Sequence, residues 1–346
     1  MPDTTEEIFE DSLLSLFQHR PIAFSTRGPD DPYVYVPSGI RLLRRASVDV
    51  DDTTLPSPHH LPAHPSSPIK IYLPTAPPEL HTTLQLTHLW LSSVFMADLI
   101  SHGIINVTDD DDDDERICEL GAGAGLPGIV CAVRGAREVV STDYAVPEQG
   151  PRERDEQDRG GTVLDVLRSN FLRAVPDAQA REGKSWAVLG HTWGDEPSVS
   201  RILSSLSASH TNSHSPRRQT FSLLLLADLL WSTASHGALI HSLTKLLDPE
   251  TGRACVVAGL HQGRGPVERF LRSWRDGAGG WVRYEMEVQW GHEQGWEVLE
   301  DFRSGRGHGR KGEGEEAWKR LYDEDRQGGD EHGTVVYFTI GLGNPR

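Results

Sequence analysis

The feature that most constrains this chain is ELGAGAG, a glycine-rich turn between an apolar segment and an amphipathic one. The pattern predicts a strand over Arg116–Leu120 and a helix over Leu126–Arg134, joined by glycine at every second position. Glycine lets the backbone approach a ligand without an intervening Cβ. The first turn of a helix offers unpaired N–H groups and the positive end of the helix dipole. Such a unit is suited to binding a nucleoside or nucleotide.

An acidic residue follows the next predicted strand. Glu138–Ser141 is a short strand candidate, and Asp143 lies just past its end. A carboxylate in this position of an open α/β sheet accepts hydrogen bonds from ribose hydroxyls. The turn and Asp143 together therefore predict a nucleoside site.

The spacing of the glycines leaves two kinds of cofactor open. The dinucleotide motif G-x-G-x-x-G fails when counted from the first glycine, because Leu126 stands where the third belongs. Counted from Gly123 it fits, through Gly125 and Gly128. The longer motif, which includes Glu119, is similar to E/D-x-G-x-G-x-G of S-adenosylmethionine-dependent methyltransferases, whose cofactor has no pyrophosphate. A tight turn that binds nothing is the competing interpretation.

Two more candidate site residues follow predicted strands. Trp193 comes after the strand Ala187–Leu189 and either stacks on an adenine base or closes the core. Asp228 follows Ala227 at the end of FSLLLLA, an apolar run typical of a buried parallel strand. An acid there faces the crevice of an α/β sheet. A carboxylate that caps the following helix is the alternative.

The order of the elements indicates the fold class. Strands alternate with helices, as in a doubly wound α/β sheet, and Trp281–Val288 with Thr334–Leu342 suggests an antiparallel hairpin at its edge. The strongest helix pattern, Leu84–Ile100, contains Trp90, which on spacing alone is a core residue. With 34 glycines and 22 prolines in 346 residues, we expect a core of about 230 residues with disordered insertions.

Charge and composition limit the partners. A net charge of −17 argues against a general grip on nucleic-acid phosphates and agrees with a basic protein or peptide as partner. No apolar run has transmembrane length, and the acidic N-terminal segment resembles neither a signal peptide nor a transit peptide. The cysteines form no C-x-x-C pair and are expected to be reduced: Cys118, Cys131 and Cys255. We therefore expect a cytoplasmic protein that contacts neither membrane nor nucleic acid.

Two polar clusters are expected to be solvated. His59, His60 and His64 have no carboxylate or cysteine partner at ligand spacing, so no metal site is predicted. Asp109–Asp114 lacks the intervening glycine of a calcium loop, and its charges repel one another.

Four segments carry a resemblance to the seven-β-strand methyltransferases, and within them to the lysine methyltransferase-like family. They are LTHLWLSSVFMADLI, ELGAGAGLPGIVCAVRGAREVVSTDY, LGHTWG and LLLADLLW. The resemblance runs from about Tyr33 to Leu342. It implies a Rossmann-like, mostly parallel seven-stranded sheet, S-adenosyl-L-methionine as cofactor and methyl transfer to an amine. It also implies a protein substrate, translation elongation factor 1-alpha, methylated at its N-terminal amine and an adjacent lysine. We expect a monomer.

The resemblance also implies roles for residues. Those expected to bind the cofactor are Trp90, Gly121, Ala122, Gly123, Asp143, Trp193 and Ala227. The glycine turn would wrap the methionine portion, Asp143 would hold the ribose and Trp193 would lie against adenine. Asp228 would be the catalytic residue, orienting the substrate amine. The chain departs from the family at Trp231–Ser232 and at His261–Gly263, and both departures touch the substrate side.

Other functions stay open from the sequence. A small-molecule N-methyltransferase, acting for example on nicotinamide, would share the cofactor site but enclose its substrate. A non-catalytic binding module could keep the fold, and a dehydrogenase could use the dinucleotide spacing but would leave Glu119 and Gly121 unexplained. We predict that residues 1–83 form an N-terminal extension and residues 84–346 the methyltransferase domain. The extension would contain a hairpin of Tyr33–Val36 with Ile40–Leu43 and a proline-rich loop.

Overall fold

The structure, a computed structural model, describes residues 23–24, 31–42, 68–74, 88–108, 115–145, 162–175, 184–206, 220–291, 295–301 and 333–343. Three predicted features lie outside these ranges: most of the proline-rich loop, the three histidines within it and the aspartate run. The predicted domain boundary between residues 83 and 84 also lies outside them and stays a prediction.

The described residues form thirteen strands and six α-helices. The strands are β1 (Ala23–Phe24), β2 (Tyr33–Tyr35), β3 (Ile40–Leu42), β4 (Ile69–Ile71), β5 (Leu89–Trp90), β6 (Arg116–Leu120), β7 (Glu138–Asp143), β8 (Ser185–Gly190), β9 (Leu223–Ala227), β10 (Arg253–Gly259), β11 (Trp281–Trp290), β12 (Trp296–Asp301) and β13 (Thr334–Gly341). The helices are α1 (Leu91–Ser101), α2 (Leu126–Arg134), α3 (Val163–Ala174), α4 (Glu196–Ser204), α5 (His236–Leu246) and α6 (Gly265–Ser273). A 3₁₀ turn, Thr233–Ser235, precedes α5, and a π-helical turn, Trp274–Ala278, follows α6.

Nine strands form one sheet in the order β3-β12-β11-β13-β10-β9-β6-β7-β8. The five strands from β10 to β8 are parallel, and β13 runs antiparallel to both β10 and β11. The seven strands from β11 to β8 confirm the predicted doubly wound, mostly parallel sheet, and β12 and β3 extend it to nine. The order of the strands reverses between β6 and β9, which makes this the topological switch point where open α/β sheets bind ligands.

Helices cover both faces of the sheet, which explains why β9 and β10 are apolar over most of their length. In β9, Leu223 and Leu225 face a core that includes buried residues of α1, α2 and α3. Leu224 and Leu226 face a second core, formed with α4, α5 and α6. All four leucines are fully buried. The β9 segment is therefore the centre of a three-layer structure.

The predicted hairpin of Tyr33–Val36 with Ile40–Leu43 is wrong. β2 pairs antiparallel with β4 in a separate two-stranded sheet, whereas β3 pairs in parallel with β12 at the edge of the main sheet. The two strands thus have different partners, although only four residues separate them. A local pattern of apolar residues does not contain that information.

A buried carboxylate on α1 determines this arrangement. Asp98 accepts hydrogen bonds from the Tyr35 hydroxyl at 2.8 Å, the Ser38 N–H at 3.0 Å and the Trp296 indole N–H at 2.7 Å. Burial raises the pKa of Asp98 to about 6, and the three donors oppose that rise. Because the donors come from β2, the β2–β3 connection and β12, one side chain joins the N-terminal strands and β12 to α1.

The first strong helix is also shorter than predicted. It was expected over Leu84–Ile100, but α1 begins at Leu91, because Leu89 and Trp90 are extended and pair with Phe24 and Ala23. Trp90 is the N-cap residue, so it lies outside the helix and not on its apolar side. Helix α4 and strand β12 were not predicted from the sequence.

We predict that Asp98→Ala destabilises the protein, because three buried donors lose their acceptor. The free energy of unfolding, measured by chemical denaturation, should fall by about 3 kcal/mol or more. Asp98→Asn keeps one acceptor oxygen and should cost less. An alanine variant as stable as the wild type would show that Asp98 does not hold these elements together.

Candidate nucleoside and amine site

The parallel strands bring the predicted site residues to one edge of the sheet. Leu120 ends β6, Asp143 ends β7, Ala227 ends β9 and Gly259 ends β10. Since β6 and β9 lie side by side at the switch point, the glycine turn after β6 and Asp228 after β9 are neighbours. The order of the strands is therefore what assembles the site.

The glycine turn has a backbone shape that other residues rarely adopt. Gly121 has φ +59° and Gly123 has φ +54°, both in the left-handed region. The turn is anchored by the Ala122 N–H, which donates to the Thr142 carbonyl at 2.9 Å. A Cβ on Gly121 would lie 2.5 Å from Leu229 Cδ2, whereas a Cβ on Gly123 would meet nothing within 4 Å. A side chain at position 121 would thus displace Leu229 and strain the backbone, whereas Gly123 borders open space.

Asp143 holds the turn from the neighbouring strand. Its Oδ2 accepts the Gly123 N–H at 2.6 Å, and its Oδ1 accepts the Tyr144 N–H at 2.6 Å. Burial raises the pKa of Asp143, and these two N–H groups oppose the rise. An ionised carboxylate has about four acceptor positions. The two N–H groups therefore do not use all the acceptor positions of Asp143.

Glu119, the acid that opens the motif, lies beneath the turn. It is 2% exposed, and its Oε2 accepts a hydrogen bond from the Ser141 hydroxyl at 2.6 Å. A Cβ on Gly128 would lie 2.5 Å from the same oxygen, so glycine there lets α2 pack closely on β6. Burial raises the pKa of Glu119 to about 8. Glu119 supports the turn from inside, and Gly128 has a packing role whichever nucleoside binds.

The loop that carries Trp193 is fixed next to Asp143. The His191 N–H donates to the Asp143 carbonyl at 2.8 Å. The buried His191 ring is hydrogen-bonded to the hydroxyls of Ser198 at 2.8 Å and Ser242 at 3.0 Å, and burial lowers its pKa to about 4. Trp193 itself is half-buried and packs against the core that contains α4 to α6. It has both an apolar contact and a partly exposed surface.

Asp228 adopts a conformation that is unusual for its residue type. Its φ is +58°, and it is the one non-glycine residue with positive φ in the described part of the chain. Its Oδ1 accepts the Gly259 N–H at 3.0 Å, and its own N–H donates to the Val257 carbonyl at 2.8 Å. The N-caps of the following 3₁₀ turn and of α5 are Ser232 and Ser235, so the alternative that Asp228 caps a helix is wrong. Such backbone conformations cluster at functional sites.

Trp90 contacts a residue that, like Asp228, follows one of the parallel strands. Its ring stacks on His261, with centroids 5.3 Å apart and planes at 29°. Next to this pair is a small cavity, partly open to solvent, lined by Ser92, Asp228, Gly259 and His261 among others. We refer to it as the Asp228 cavity.

The structure thus relates the predicted site residues in two groups. One is joined directly by hydrogen bonds and strand ends: Gly121, Ala122, Gly123 and Asp143, with Trp193 reached through the His191 backbone. The other comprises Trp90 and Asp228 around the Asp228 cavity, with Ala227 at the end of β9 between the two. Their individual roles stay predictions.

Sequence reasoning gave no site role to Ser92 or Gly259 and treated His261 only as a partial match to the family. A site role for His261 could have been inferred from its place in the sequence, because it follows directly after the buried strand ACVVAGL. Within the described ranges no group of three or more His, Cys, Asp or Glu side chains could hold a metal ion. None of the described helices is long and apolar enough to span a membrane.

We predict a pH-dependent stability difference for Glu119→Gln. The pKa of Glu119 rises from 4.5 to about 8 on folding, so its stabilising contribution is complete below pH 4.5 and is lost as the pH rises toward 8. Between about pH 5 and 8 the wild type should lose about 1.4 kcal/mol per pH unit relative to Glu119→Gln, which cannot ionise. Denaturation at several pH values measures this, with the exposed Glu250→Gln as control. Parallel pH curves for wild type and Glu119→Gln would contradict it.

No family model matches the chain. It is 36% identical over 132 residues to a protein N-terminal and lysine N-methyltransferase of Cryptococcus neoformans, a match that covers 38% of this chain and only 35% of the relative. It is 26% identical over 212 residues to the Candida albicans protein of the same name, covering 58% of this chain and 71% of that one. The match thus spans about a third of the length of the Cryptococcus relative.

Among solved structures, a precorrin-6y C5,15-methyltransferase from Geobacter metallireducens is 12% identical, with a TM-score of 0.33 over 66% of this chain and 81% of that one. That TM-score is too low to support an argument, so the fold rests on the strand order described above. The sequence matches confirm the resemblance predicted from the four segments. The chain is similar to fungal proteins named protein N-terminal and lysine N-methyltransferases.

Proposed function

We propose that the protein is an S-adenosylmethionine-dependent N-methyltransferase that acts on a protein amine. The observation that carries the proposal is the glycine turn at the switch point, locked by the bond between Gly123 and Asp143 and open on one side. The names of the sequence relatives support the same chemistry. Because the match covers about a third of the Cryptococcus relative, the activity, substrate and partners of this chain are proposals.

The residues at the turn fit the proposed cofactor. The open side of Gly123 leaves room for a ligand close to the backbone, and Asp143 has acceptor positions for ribose hydroxyls. Trp193, whose loop is tied to Asp143, has a partly exposed indole ring suited to stacking on adenine. Trp90 and Ala227 would complete the cofactor site on the side of Asp228.

S-adenosylmethionine, when bound, supplies a methyl group carried on a positively charged sulfur. The side chains of this protein would hold and align the acceptor amine and exclude water, which is a proximity effect. The acceptor must be a neutral amine, and an α-amine, with a pKa of about 8, loses its proton more readily than a lysine at about 10.4. Asp228 would orient the amine through its carboxylate.

We propose translation elongation factor 1-alpha as the substrate, methylated at its N-terminal amine and an adjacent lysine. The relatives' names, which specify N-terminal and lysine methylation, support this choice, and a net charge of −17 favours a basic peptide segment. We further propose a cytoplasmic monomer that binds neither nucleic acid nor membrane. Incubation with S-adenosylmethionine and elongation factor 1-alpha should add whole methyl masses at its N-terminus. An unchanged mass of elongation factor 1-alpha would show that it is not the substrate.

We predict that Gly123→Ala weakens binding of S-adenosylmethionine at least about tenfold, because its methyl group enters the ligand space. Gly279→Ala is the matched control, since Gly279 also has positive φ and a Cβ there would meet nothing within 4 Å. Both variants should lose about 1 kcal/mol of stability from the left-handed backbone. Calorimetric titration separates them, and equal cofactor affinities in the two variants would argue against a site at Gly123.

We predict that Asp228→Asn lowers kcat at least about tenfold, because the carboxylate no longer accepts a charge-assisted hydrogen bond from the amine. Affinity for S-adenosylmethionine should stay within about twofold, since Asp228 lies outside the cofactor turn. Asp276→Asn, an exposed aspartate on the π-helical turn, is the control. Full activity in Asp228→Asn would show that the Asp228 carboxylate has no catalytic role.

A further inference from the structure

The Asp228 cavity is formed by four segments that are far apart in the sequence. Ser92 comes from the start of α1, Asp228 follows β9, His261 follows β10 and Thr334 begins β13. The cavity lies at the carboxyl ends of β9 and β10, on the same sheet edge as the glycine turn. It is therefore placed to receive a group that reacts next to the cofactor turn.

Ser92 has a buried hydroxyl without a hydrogen-bond partner. The residue is 1% exposed, and within the part of the chain that the structure describes no group pairs with its Oγ. Buried hydroxyls in proteins are nearly always paired. An unpaired hydroxyl in the lining of a cavity therefore points to a ligand with a polar hydrogen.

Two further acceptors line the same cavity. Asp228 uses Oδ1 to accept the Gly259 N–H, and no described residue donates to its Oδ2. His261 is half-buried and stacks on Trp90, and its ring nitrogens have no hydrogen-bond partner among the described residues. The stack fixes the plane of the imidazole ring.

The chemistry of the lining selects a cationic amine. The cavity contains one carboxylate and, among the described residues, no lysine or arginine. A primary ammonium group has three N–H donors, and it becomes the neutral acceptor of a methyl group when it loses one proton. Asp228 Oδ2 and Ser92 Oγ supply acceptors for the two N–H groups that stay, and an imidazole nitrogen of His261 supplies an acceptor for the proton that leaves.

We propose that Ser92 and His261 are amine-positioning residues that, with Asp228, hold the acceptor amine of the substrate in this cavity. The proposal rests on the proposed function and adds two residues to it. It also gives the Trp90–His261 stack a role, because the stack fixes the orientation of the imidazole ring that accepts a hydrogen bond from the amine. Trp231–Ser232 and His261–Gly263, where the chain departs from the family pattern, follow β9 and β10, which end at this cavity.

The test is calorimetric binding of a short peptide that begins Gly-Lys, compared with the same peptide acetylated at both amines. The wild type should prefer the free peptide. Ser92→Ala should bind it about tenfold more weakly, because one hydrogen bond to a charged group is lost. The same substitution should leave Tm unchanged or raise it, because it removes an unpaired buried hydroxyl. Ser93→Ala, the next residue of α1, is the matched control for both measurements.

His261→Phe provides a second variant. Phenylalanine keeps an aromatic ring against Trp90 but has no nitrogen, so peptide binding should weaken about tenfold while the protein stays folded. His241→Phe, on the exposed side of α5, is its control. In steady-state assays both Ser92→Ala and His261→Phe should raise KM for the peptide more than they lower kcat.

The result that overturns the inference is wild-type peptide affinity in both Ser92→Ala and His261→Phe, or equal wild-type affinity for free and acetylated peptide. Titration of the wild type with S-adenosylmethionine separates this failure from that of the proposed function. If the wild type binds the cofactor and transfers methyl groups while the variants bind peptide normally, only the positioning role is lost. If the wild type neither binds the cofactor nor transfers methyl groups, the function itself is wrong.

Discussion

The hydrogen bond between the Gly123 N–H and the Asp143 carboxylate is the interaction on which the site depends. It joins the turn after β6 to the end of β7 and holds a backbone shape that glycine adopts readily. The same carboxylate has more acceptor positions than the two N–H groups use, and the Gly123 that it holds borders open space. The Asp143 side chain therefore both holds the turn and has the chemistry to bind a ligand. Beneath the turn, Glu119 is hydrogen-bonded to Ser141. Without this bond the turn would keep its anchor from the Ala122 N–H to the Thr142 carbonyl, but it would no longer be tied to the Asp143 side chain.

The amine side of the site depends on a second buried carboxylate, far from the glycine turn. Asp98 ties the N-terminal strands and β12 to α1. The start of α1 in turn supplies Ser92 to the Asp228 cavity, and Trp90, just before α1, stacks on His261 of its lining. Elements that lie outside the seven-stranded core thus position part of the wall of that cavity. This arrangement connects residues from both ends of the chain to the wall of the Asp228 cavity.

The sequence predicted the features that depend on neighbouring residues. The bounds of α2 agree with prediction, and the buried central strands could be recognised from their continuous apolar runs. The turn at Gly121 and Gly123 could be read for the same reason, because its glycines and the acid that locks it follow a local motif. The hairpin prediction failed because the partner of β3 is β12, more than 250 residues away. The Asp228 cavity could not be predicted, since its walls come from four distant segments. The observation that points to a ligand there, an unpaired buried hydroxyl, exists only in the folded structure.

The most direct measurement of the central claim is the choice of nucleoside by the intact protein. Calorimetric titrations with S-adenosylmethionine, its demethylated product and a nicotinamide dinucleotide would be compared on one folded sample. We predict saturable binding of the first two, with one site per chain, and no binding of the dinucleotide. Binding of the dinucleotide without binding of S-adenosylmethionine would contradict the account and favour the glycine spacing that begins at Gly123.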